Sequence, residues 1–279
     1  MLIDGRKISS EIKVELKEEI EKLKNEKGRI PGLATIIIGK DKASQIYVGS
    51  KVKTCSEIGI QSFLYELAED IEEKEVLKLI EELNIRSEVD AILVQLPLPK
   101  QISEKKIMNT IIPSKDVDCF SNENIGRMFL NPNTDIRPCT PAGILELLSR
   151  YSVKLEGKKV VILGRSNIVG KPIAIMLISS GATVTVCNSK TVDLEKIIKK
   201  ADILISAIGK SKFIKKEMIK ENAIIIDVGI NRVDGKITGD VDFDDVIDKV
   251  SMITPVPGGV GPMTIAMLLK NTVNMYRRN

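Results

Sequence analysis

Apolar side chains along the first half of the chain alternate between helical and strand spacing. Ser9 to Lys27 carries them three or four residues apart and ends before Gly28, which predicts a helix. Leu33 to Ile38 is a short apolar, β-branched run, which predicts a buried strand. The same patterns predict helices over 43–58 and 72–86 and strands over 61–66 and 90–95. Because strands alternate with helices, we expect parallel sheets with right-handed crossovers.

The second half repeats this alternation after a turn-rich interruption. The stretch from Pro113 to Pro141 is rich in proline, asparagine and aspartate, which favours a domain boundary. Beyond it, the patterns predict strands over 159–163, 183–187, 203–207 and 224–228, and helices over 171–180, 194–200 and 263–276. The pattern and the length of 279 residues together predict an α/β protein of two domains.

A glycine-bearing turn follows the predicted strand 159–163. The run from Gly164 to Pro172 is similar to the GxGxxG turn of dinucleotide-binding folds, with Ser166 in place of the second glycine. Between a strand and a helix, such a turn aims backbone N–H groups and the positive end of the helix at a phosphate. A tight turn needed only for packing is the alternative interpretation.

The residues after the next predicted strand bear on which dinucleotide binds. An NAD site usually has an acidic residue there, whereas this chain has Asn188, Ser189 and Lys190. Arg165, Ser189 and Lys190 would suit a 2′-phosphate, because cations and hydroxyls attract that group and a carboxylate would repel it. NADP is therefore the predicted cofactor. Ordinary solvated loop residues are the alternative.

A second group of candidate functional residues begins on the predicted helix 43–58. Tyr47 and Lys51 are four residues apart and share one helix face. A lysine serves as acid or base when desolvation or a nearby cation lowers its pKa. Gln95 ends a predicted parallel strand and Asp118 lies in the segment that follows, where ligands of such sheets bind. For the Tyr47 and Lys51 pair, two exposed side chains without function are the alternative.

Composition excludes several classes of protein. There is no histidine, which excludes Ser-His and Cys-His nucleophiles, and the four cysteines form no CxxC pair, so neither disulfides nor a metal site has support. The 42 basic and 38 acidic residues are interleaved, and a net charge of +4 disfavours a nucleic-acid partner. No apolar run approaches the roughly 20 residues of a membrane span and no signal peptide is evident, so we expect a cytoplasmic protein.

Six segments resemble one known family when they are taken together. They are residues 44–51, 94–99, 113–118, 138–141, 164–172 and 254–264. They occur in the family's order and cover nearly the whole chain. On these segments the chain resembles the bifunctional methylenetetrahydrofolate dehydrogenase/methenyltetrahydrofolate cyclohydrolase, or FolD, family. Two positions depart from the family pattern, since Cys119 stands where glycine is common and Asn188 where histidine is frequent.

The resemblance implies both an activity and an architecture. The activity is NADP-dependent oxidation of 5,10-methylenetetrahydrofolate to the methenyl form and its hydrolysis to 10-formyltetrahydrofolate, within one-carbon metabolism and purine biosynthesis. The architecture is an N-terminal α/β folate-binding domain, residues 1–119 completed by the C-terminal helix 262–279, and a Rossmann-type NADP-binding domain, residues 140–261. Residues 120–139 connect them, and a cleft between them would hold both ligands. A homodimer through the cofactor domains is also implied.

The resemblance also implies roles for individual residues. Lys51 would be the general base for hydration of the methenyl cation, whose charge would lower the lysine pKa, and Tyr47 and Gln95 would position the amine. Asp118 would accept two parallel hydrogen bonds from the pterin. Further substrate contacts are implied for Gly258, Gly259 and Pro262, with a turn into the last helix as the alternative for the glycines. Cofactor contacts are implied for Gly164, Arg165, Ser166, Ile168, Val169, Gly170, Ser189 and Ile230.

Three other functions stay open on the residues alone. One is a monofunctional dehydrogenase of the same fold, and another is a shikimate-dehydrogenase-like NADP oxidoreductase with a lysine acid or base. The second would not need the segments around Gln95 and Asp118. The third is a nucleotide-binding regulatory module without catalysis, which would bind NADP without folate-dependent turnover.

Overall fold

The chain divides into two compact units. The computed structural model describes residues 1–279, apart from the side chains of Lys42, Ala43 and Ile46. One unit, called here the 138–267 unit, comprises Met1–Ser10 and Pro138–Met267, and the other, the 11–137 unit, comprises Glu11–Arg137 and Leu268–Asn279. Helices α1 (Gly5–Lys27) and α10 (Val260–Arg278) each begin in the first unit and end in the second.

The 11–137 unit is built on a three-stranded parallel sheet. Its strands are β1 (Gly32–Ile38), β2 (Gln61–Leu67) and β3 (Ala91–Val94), in the order β2-β1-β3. The central strand β1 is buried along its whole length, as expected for a parallel strand covered on both faces. The helices that complete the unit's own sequence are α2 (Lys42–Ile58), α3 (Glu73–Ile85), α4 (Glu104–Thr110) and α5 (Asn122–Leu130).

The core of this unit follows from the spacing of apolar residues. Val76, Ile80 and Leu83 of α3 recur at helical spacing, are fully buried and pack with Ile36 of β1 and Ile92 of β3. Each such side chain stabilises the fold by roughly 1.5–3 kcal/mol relative to an exposed one. This core holds the carboxyl ends of the three strands in register.

The 138–267 unit contains a five-stranded parallel sheet in the order β10-β7-β6-β4-β5. These strands are β4 (Lys159–Leu163), β5 (Thr183–Cys187), β6 (Ile203–Ser206), β7 (Ile224–Asp227) and β10 (Met252–Ile253). A small antiparallel hairpin is formed by β8 (Asn231–Val233) and β9 (Lys236–Thr238). The helices are α6 (Cys139–Arg150), α7 (Gly170–Ser179), α8 (Leu194–Ile198), α9 (Phe243–Val246) and a short 3₁₀ turn, Lys216–Met218. The strand order reverses at β4, which is the arrangement of Rossmann-type sheets and places a ligand site beyond the carboxyl end of that strand.

All seven strands predicted from the apolar pattern are present, with ends that differ by one residue at most. The turn-rich interpretation of 113–141 is wrong over 122–130, which forms α5. Ser121 caps that helix by accepting a hydrogen bond from the N–H of Asn124, but Phe129 and Leu130 are exposed and break the apolar periodicity that would reveal a helix. Helix α6 also begins inside the stretch. Pro141 is compatible with this helix because it lies in the first turn, where a missing N–H removes no hydrogen bond of the helix.

Candidate functional site

Helix α2 brings Tyr47 and Lys51 together in the 11–137 unit. Asp41 starts the helix by accepting a hydrogen bond from the N–H of Ser44 at 2.7 Å. Lys51 is only 5% exposed, and its Nζ lies 4.6 Å from the centroid of the Tyr47 ring, within cation–π distance. The interpretation of these residues as two exposed side chains is therefore wrong.

Gln95 fixes the position of the Lys51 amine. It follows β3, and its backbone N–H donates to the carbonyl of Ile36 in β1 at 2.8 Å. The Nζ of Lys51 donates to Oε1 of Gln95 at 3.1 Å, and Nε2 of Gln95 donates to the carbonyl of Leu96 at 2.6 Å. Both ends of the Gln95 amide are bound, so its oxygen faces the Lys51 amine, which is the contact that the family resemblance implies.

The segment that carries Asp118 is anchored beside β3. The N–H of Ile92 donates to the carbonyl of Lys115 at 2.7 Å, and Ile92 and Asp116 form a parallel bridge. Asp118 is half-buried and lies two residues beyond that bridge. Because the bridge is parallel, Asp118 continues toward the carboxyl end of β3, the same end at which Gln95 lies.

Two buried charged residues, neither of them a predicted site residue, hold this segment. Lys115 is 7% exposed, and its Nζ donates to the carbonyls of Leu83 and Arg86 at the end of α3, at 3.0 and 2.7 Å. Burial lowers the pKa of Lys115. The Asp116 carboxylate accepts hydrogen bonds from the N–H groups of Phe120 and Ser121. A lysine and an aspartate next to each other in a loop suggest a solvated turn, so the sequence alone did not reveal these anchors.

Cys119, where the family commonly has glycine, adopts a backbone conformation that favours glycine. Its φ is +59°, and the residue is fully buried. The thiol donates to the carbonyl of Ile136 at 3.7 Å, and burial raises the pKa of Cys119 well above its usual range. The substitution thus leaves a protonated, hydrogen-bonded thiol behind Asp118 and preserves the glycine-like backbone turn.

Gly164 forms the turn beyond β4 in the 138–267 unit. Its φ is +109°, and a Cβ on this residue would lie 2.4 Å from the carbonyl oxygen of Ala207. A Cβ on Gly170 would lie 2.2 Å from the carbonyl oxygen of Gly164. Packing therefore requires both glycines. The packing and ligand interpretations of this turn are compatible.

Ser166 caps the helix that follows this turn. Its hydroxyl accepts hydrogen bonds from the N–H groups of Val169 at 3.2 Å and Gly170 at 3.3 Å. The side chain that replaces the second glycine thus satisfies two of the N–H groups that a helix start presents. Arg165, Ser166 and Ile168 are exposed, with Val169 half-buried beside them.

The loop after β5 fits the 2′-phosphate expected of NADP. Ser189 and Lys190 are exposed, and residues 187–192 include no acidic side chain. Asn188, where the family often has histidine, accepts a hydrogen bond from the N–H of Lys190 at 2.9 Å, so its amide is bound within its own turn. Arg165 follows β4, the strand that pairs with β5. A cation and a hydroxyl therefore extend from the ends of two adjacent strands, which suits a phosphate.

The remaining predicted site residues also lie in the 138–267 unit. Ile230 follows β7 and is 65% exposed. Gly258 accepts a hydrogen bond from the N–H of Arg6 at 3.1 Å, and the carbonyl of Pro262 accepts one from the hydroxyl of Ser9 at 3.1 Å. Gly259 packs so closely that a Cβ on Gly5 would lie 1.7 Å from its carbonyl oxygen. The structure gives these three residues a packing role at the start of α1, and their contact with substrate stays a prediction.

The described part of the chain contains neither a cluster of metal-ligating side chains nor a helix suited to a membrane. Among the described side chains, no group of three or more Cys, Asp or Glu residues is arranged to hold a metal ion. Within the described chain, no helix combines the length and the apolar character needed to cross a bilayer.

The fold and the sites together define a class of protein. One α/β unit carries a Rossmann-type sheet with a glycine turn beyond β4, and the other carries a buried lysine bound by a glutamine at the end of a parallel strand. Family models of the tetrahydrofolate dehydrogenase/cyclohydrolase catalytic domain and of its NAD(P)-binding domain match residues 3–118 and 138–279.

The chain belongs to the tetrahydrofolate dehydrogenase/cyclohydrolase family. It is 54% identical to the bifunctional protein FolD of Lachnoclostridium phytofermentans over 274 aligned residues, and the aligned region covers 98% of this chain and 96% of that protein. The solved bifunctional enzyme FolD from Campylobacter jejuni is 51% identical, with a TM-score of 0.98 over 100% of this chain and 99% of that one. The Trypanosoma brucei enzyme, solved with NADP and an inhibitor, is 41% identical, with a TM-score of 0.95 over 100% and 97% of the two chains.

These findings confirm the predicted family, the two-unit α/β fold and the class of enzyme, a dehydrogenase that is also a cyclohydrolase. They exclude the shikimate-dehydrogenase-like alternative. The roles of individual residues are not tested by them and stay predictions.

Proposed function

We propose that this chain oxidises 5,10-methylenetetrahydrofolate with NADP and hydrolyses the resulting methenyl cation to 10-formyltetrahydrofolate, with Lys51 as the residue that moves protons. The observation that carries the role of Lys51 is its burial beside Tyr47 with its amine bound to Gln95. A buried amine at the carboxyl end of a parallel strand is placed where such sheets bind their ligands.

The role of a base requires the neutral form of the Lys51 amine. Water is largely excluded from Lys51, and a methenyl cation bound nearby would add a like charge. The oxygen of Gln95 accepts one hydrogen from the amine, which orients its lone pair. In this arrangement Lys51 accepts a proton from the water that adds to the methenyl carbon.

A single amine is sufficient for the proton transfers of the hydrolysis. Water adds to the methenyl carbon while Lys51 takes one of its protons. The bond from this carbon to N5 then breaks, N5 receives a proton from Lys51, and the carbon remains on N10 as a formyl group. One further proton is released to solvent. Because the methenyl carbon is already electrophilic, neither a metal nor a covalent nucleophile is required.

Asp118 has a separate role in this proposal. An ionised carboxylate accepts two parallel hydrogen bonds from an aminopyrimidinone edge, which fixes both the position and the tilt of the pterin. The anchors provided by Lys115 and Asp116 hold the Asp118 segment beside β3. We propose that Tyr47 stacks on the folate while it orients Lys51.

NADP supplies the hydride acceptor for the dehydrogenase step. We propose that Gly164, Ser166 and Gly170 lie against its phosphates, that Arg165 and Ser189 bind its 2′-phosphate, and that Ile230 contacts the ring system. The exposure of Arg165 and Ser189 and the missing acid after β5 support NADP over NAD. The NADP complex of the Trypanosoma brucei relative supports the same choice.

A spectrophotometric assay of the wild-type protein with methylenetetrahydrofolate tests this function. With NADP, the methenyl chromophore is expected to appear and then decay, and with NAD the appearance is expected to be slower. A chromophore that appears without enzyme-dependent decay would identify a monofunctional dehydrogenase. NADP binding without folate-dependent turnover would identify a regulatory module instead.

We also propose a homodimer formed through the cofactor units. Strand β5 is an edge strand of the five-stranded sheet, and Thr183, Thr185 and Val186 on it are exposed. An exposed edge of this kind is suited to pairing with a second copy. Light scattering should give twice the mass of the 30.8 kDa chain, and a single-chain mass would contradict the dimer.

The compartment and pathway complete this proposal. The four cysteines are all free and buried, which suits the reducing cytoplasm. The formyl product suits donation of one-carbon units in purine biosynthesis.

A further inference from the structure

Two buried carboxylates lie near the carboxyl ends of β6 and β7. Asp227 is the last residue of β7 and is 3% exposed, and Asp240, which follows β9, is fully buried. Acidic side chains are seldom fully buried unless hydrogen bonds or opposite charges offset the loss of water. The hydrogen bonds that both carboxylates accept therefore show which segments they hold in place.

The Asp240 carboxylate binds the loop that follows β6. Its Oδ2 accepts hydrogen bonds from the N–H groups of Ile208 at 2.8 Å and Gly209 at 3.3 Å, and its Oδ1 accepts one from the N–H of Lys210 at 2.8 Å. The hydroxyl of Ser206, the last residue of β6, donates to Oδ2 at 3.1 Å. One side chain thus fixes the backbone conformation of three successive residues.

The Asp227 carboxylate binds the segments on either side of the β8–β9 hairpin. Its Oδ1 accepts hydrogen bonds from the N–H groups of Gly229 at 2.9 Å and Asp240 at 3.0 Å, and its Oδ2 accepts one from the N–H of Val241 at 2.9 Å. The backbone that carries Asp240 is therefore itself held by Asp227. The two carboxylates act as one unit.

Ile230 lies between two residues that this unit holds. Gly229 is bound to Asp227, and the side-chain amide of Asn231 donates to Oδ1 of Asp240 at 3.1 Å. Ile230 itself is 65% exposed. An exposed isoleucine whose two neighbours are both hydrogen-bonded to buried carboxylates has a well-defined backbone position.

The loop held by Asp240 also reaches the Gly164 turn. The N–H of Ala207 donates to the carbonyl of Leu163 at 2.9 Å, and the carbonyl of Ala207 is the group that a Cβ on Gly164 would meet. Strands β4 and β6, which precede these two segments, are neighbours in the sheet. Asp240 is thus connected to both of the segments expected to face the dinucleotide.

Steric constraints around the carboxylates agree with this arrangement. A Cβ on Gly229 would lie 2.2 Å from Oδ1 of Asp240, and one on Gly239 would lie 1.9 Å from Oδ2 of Asp227. The carboxylates occupy the space that side chains at these two positions would need. The backbone and the acids therefore fit each other closely.

We propose that Asp227 and Asp240 form a positioning unit for the bound dinucleotide, in which Asp240 aligns residues 207–210 and Ile230. The inference rests on the proposed function, since it assumes that NADP binds beyond β4. Among the described residues, five hydrogen bonds end on the Asp240 carboxylate. An asparagine has one acceptor oxygen and adds two N–H donors, so Asp240→Asn leaves several of these bonds unmade.

The test compares the two activities of one protein. Asp240→Asn is expected to raise the NADP KM of the dehydrogenase roughly tenfold or more, since each unsatisfied buried donor is costly. Cyclohydrolase turnover of added methenyltetrahydrofolate should stay within about twofold of wild type, because it needs no dinucleotide. Asp202→Asn is the matched control, since Asp202 precedes β6 at the opposite end of the strand and binds the N–H of Lys159. It should leave the NADP KM unchanged.

A double-mutant cycle separates positioning from general destabilisation. If Asp240 acts through Ile230, the effect of Asp240→Asn on the NADP KM should shrink in an Ile230→Ala background. Additive effects, or an equal loss of both activities, would overturn the proposal.

A milder variant keeps the proposal testable should Asp240→Asn fail to fold. Asn231→Ala removes the side-chain bond to Asp240 at 3.1 Å, together with a longer one to the carbonyl of Thr238 at 3.5 Å. It should raise the NADP KM by a smaller factor in the same direction. An unchanged KM would count against the proposal. If wild-type protein showed no NADP-dependent turnover, the proposed function itself would fail, which is a distinguishable result.

Discussion

The candidate reacting group is buried in the 11–137 unit, whereas the residues predicted to meet the dinucleotide are exposed in the 138–267 unit. Lys51 is 5% exposed, and another side chain, Gln95, binds its amine. Arg165, Ser166 and Ser189 are exposed, and the loops near them are held by glycine packing and by the Asp227–Asp240 unit.

This difference follows from the two kinds of chemistry. A lysine that moves protons at neutral pH must lose water so that its neutral form is accessible. A site for a charged, freely dissociating dinucleotide must instead present cations and hydroxyls to solvent on a backbone that a phosphate can approach closely. One site therefore depends on a buried pair of side chains, and the other depends on exposed side chains carried by a tightly packed backbone.

Removal of the buried amine should have the largest effect. Lys51→Met is expected to lower methenyl hydrolysis by at least about 100-fold, the usual contribution of a positioned acid or base. Folate binding should persist, because Asp118 is unchanged. Measurement of both half-reactions and of folate affinity checks this expectation. Lys53→Met is the matched control, because its side chain is 81% exposed on the same helix. Wild-type hydrolysis by the Lys51 variant would refute its assigned role.

The buried carboxylates give the 138–267 unit a distinctive pH dependence. Desolvation raises the pKa of Asp227 to about 6. The three N–H donors to this carboxylate lower its pKa, and the nearby charge of Asp240 raises it further. Because the folded-state pKa lies above the ordinary value, the contribution of Asp227 to stability is greatest at low pH and is lost as the pH rises through about 6.

Unfolding in urea at several pH values measures this contribution. The stability of wild type minus that of Asp227→Asn should fall by roughly 1–3 kcal/mol between about pH 4 and 7. The same difference for Asp202→Asn should stay nearly constant over this range and fall only below about pH 4, since the Lys220 hydrogen bond lowers the pKa of Asp202 below its ordinary value. A difference for Asp227 that rises with pH would show that its N–H donors outweigh its desolvation.

The exposed dinucleotide contacts should affect affinity without affecting proton transfer. Arg165→Ala is expected to raise the NADP KM about tenfold, because a charge-assisted hydrogen bond is lost. The NAD KM should change little, since NAD has no 2′-phosphate, and cyclohydrolase turnover should be unchanged. Lys196→Ala serves as the control, because Lys196 pairs with Asp193 on the surface of the same unit. Equal losses with NADP and NAD would contradict a 2′-phosphate contact.

The departure at Cys119 should have the smallest effect. Cys119→Gly relieves a positive φ but removes a buried thiol and its bond to Ile136, so the two effects nearly cancel. Stability should change by less than about 1 kcal/mol. Cys55→Gly, a buried position inside α2, should cost roughly 2 kcal/mol or more in the same thermal unfolding measurement. A loss as large at Cys119 would show that its thiol is required for stability.

The apolar patterns were sufficient for the strands and most long helices, because burial imposes a period on the side chains of an element. Helix α5 was not predicted, because its exposed Phe129 and Leu130 do not follow that period. The Tyr47 and Lys51 pair was predicted from helical spacing, and Gln95 from its place at the end of a strand. Whether the lysine was buried was not predictable, since spacing places residues on a face without showing what covers it.

Four features could be predicted without the structure, because they depend on residue type and local spacing. They are the order of the elements, the glycine turn, the absence of histidine chemistry and the lack of an acidic residue after β5. The folded chain was needed to show that Lys51 is buried against Gln95, that Asp227 binds the backbone of Asp240, and that Asp240 binds the loop after β6. Their partners are 44 residues away for Lys51 and up to 34 for Asp240. Contacts over such distances depend on how strands pair and helices pack, which no local pattern records.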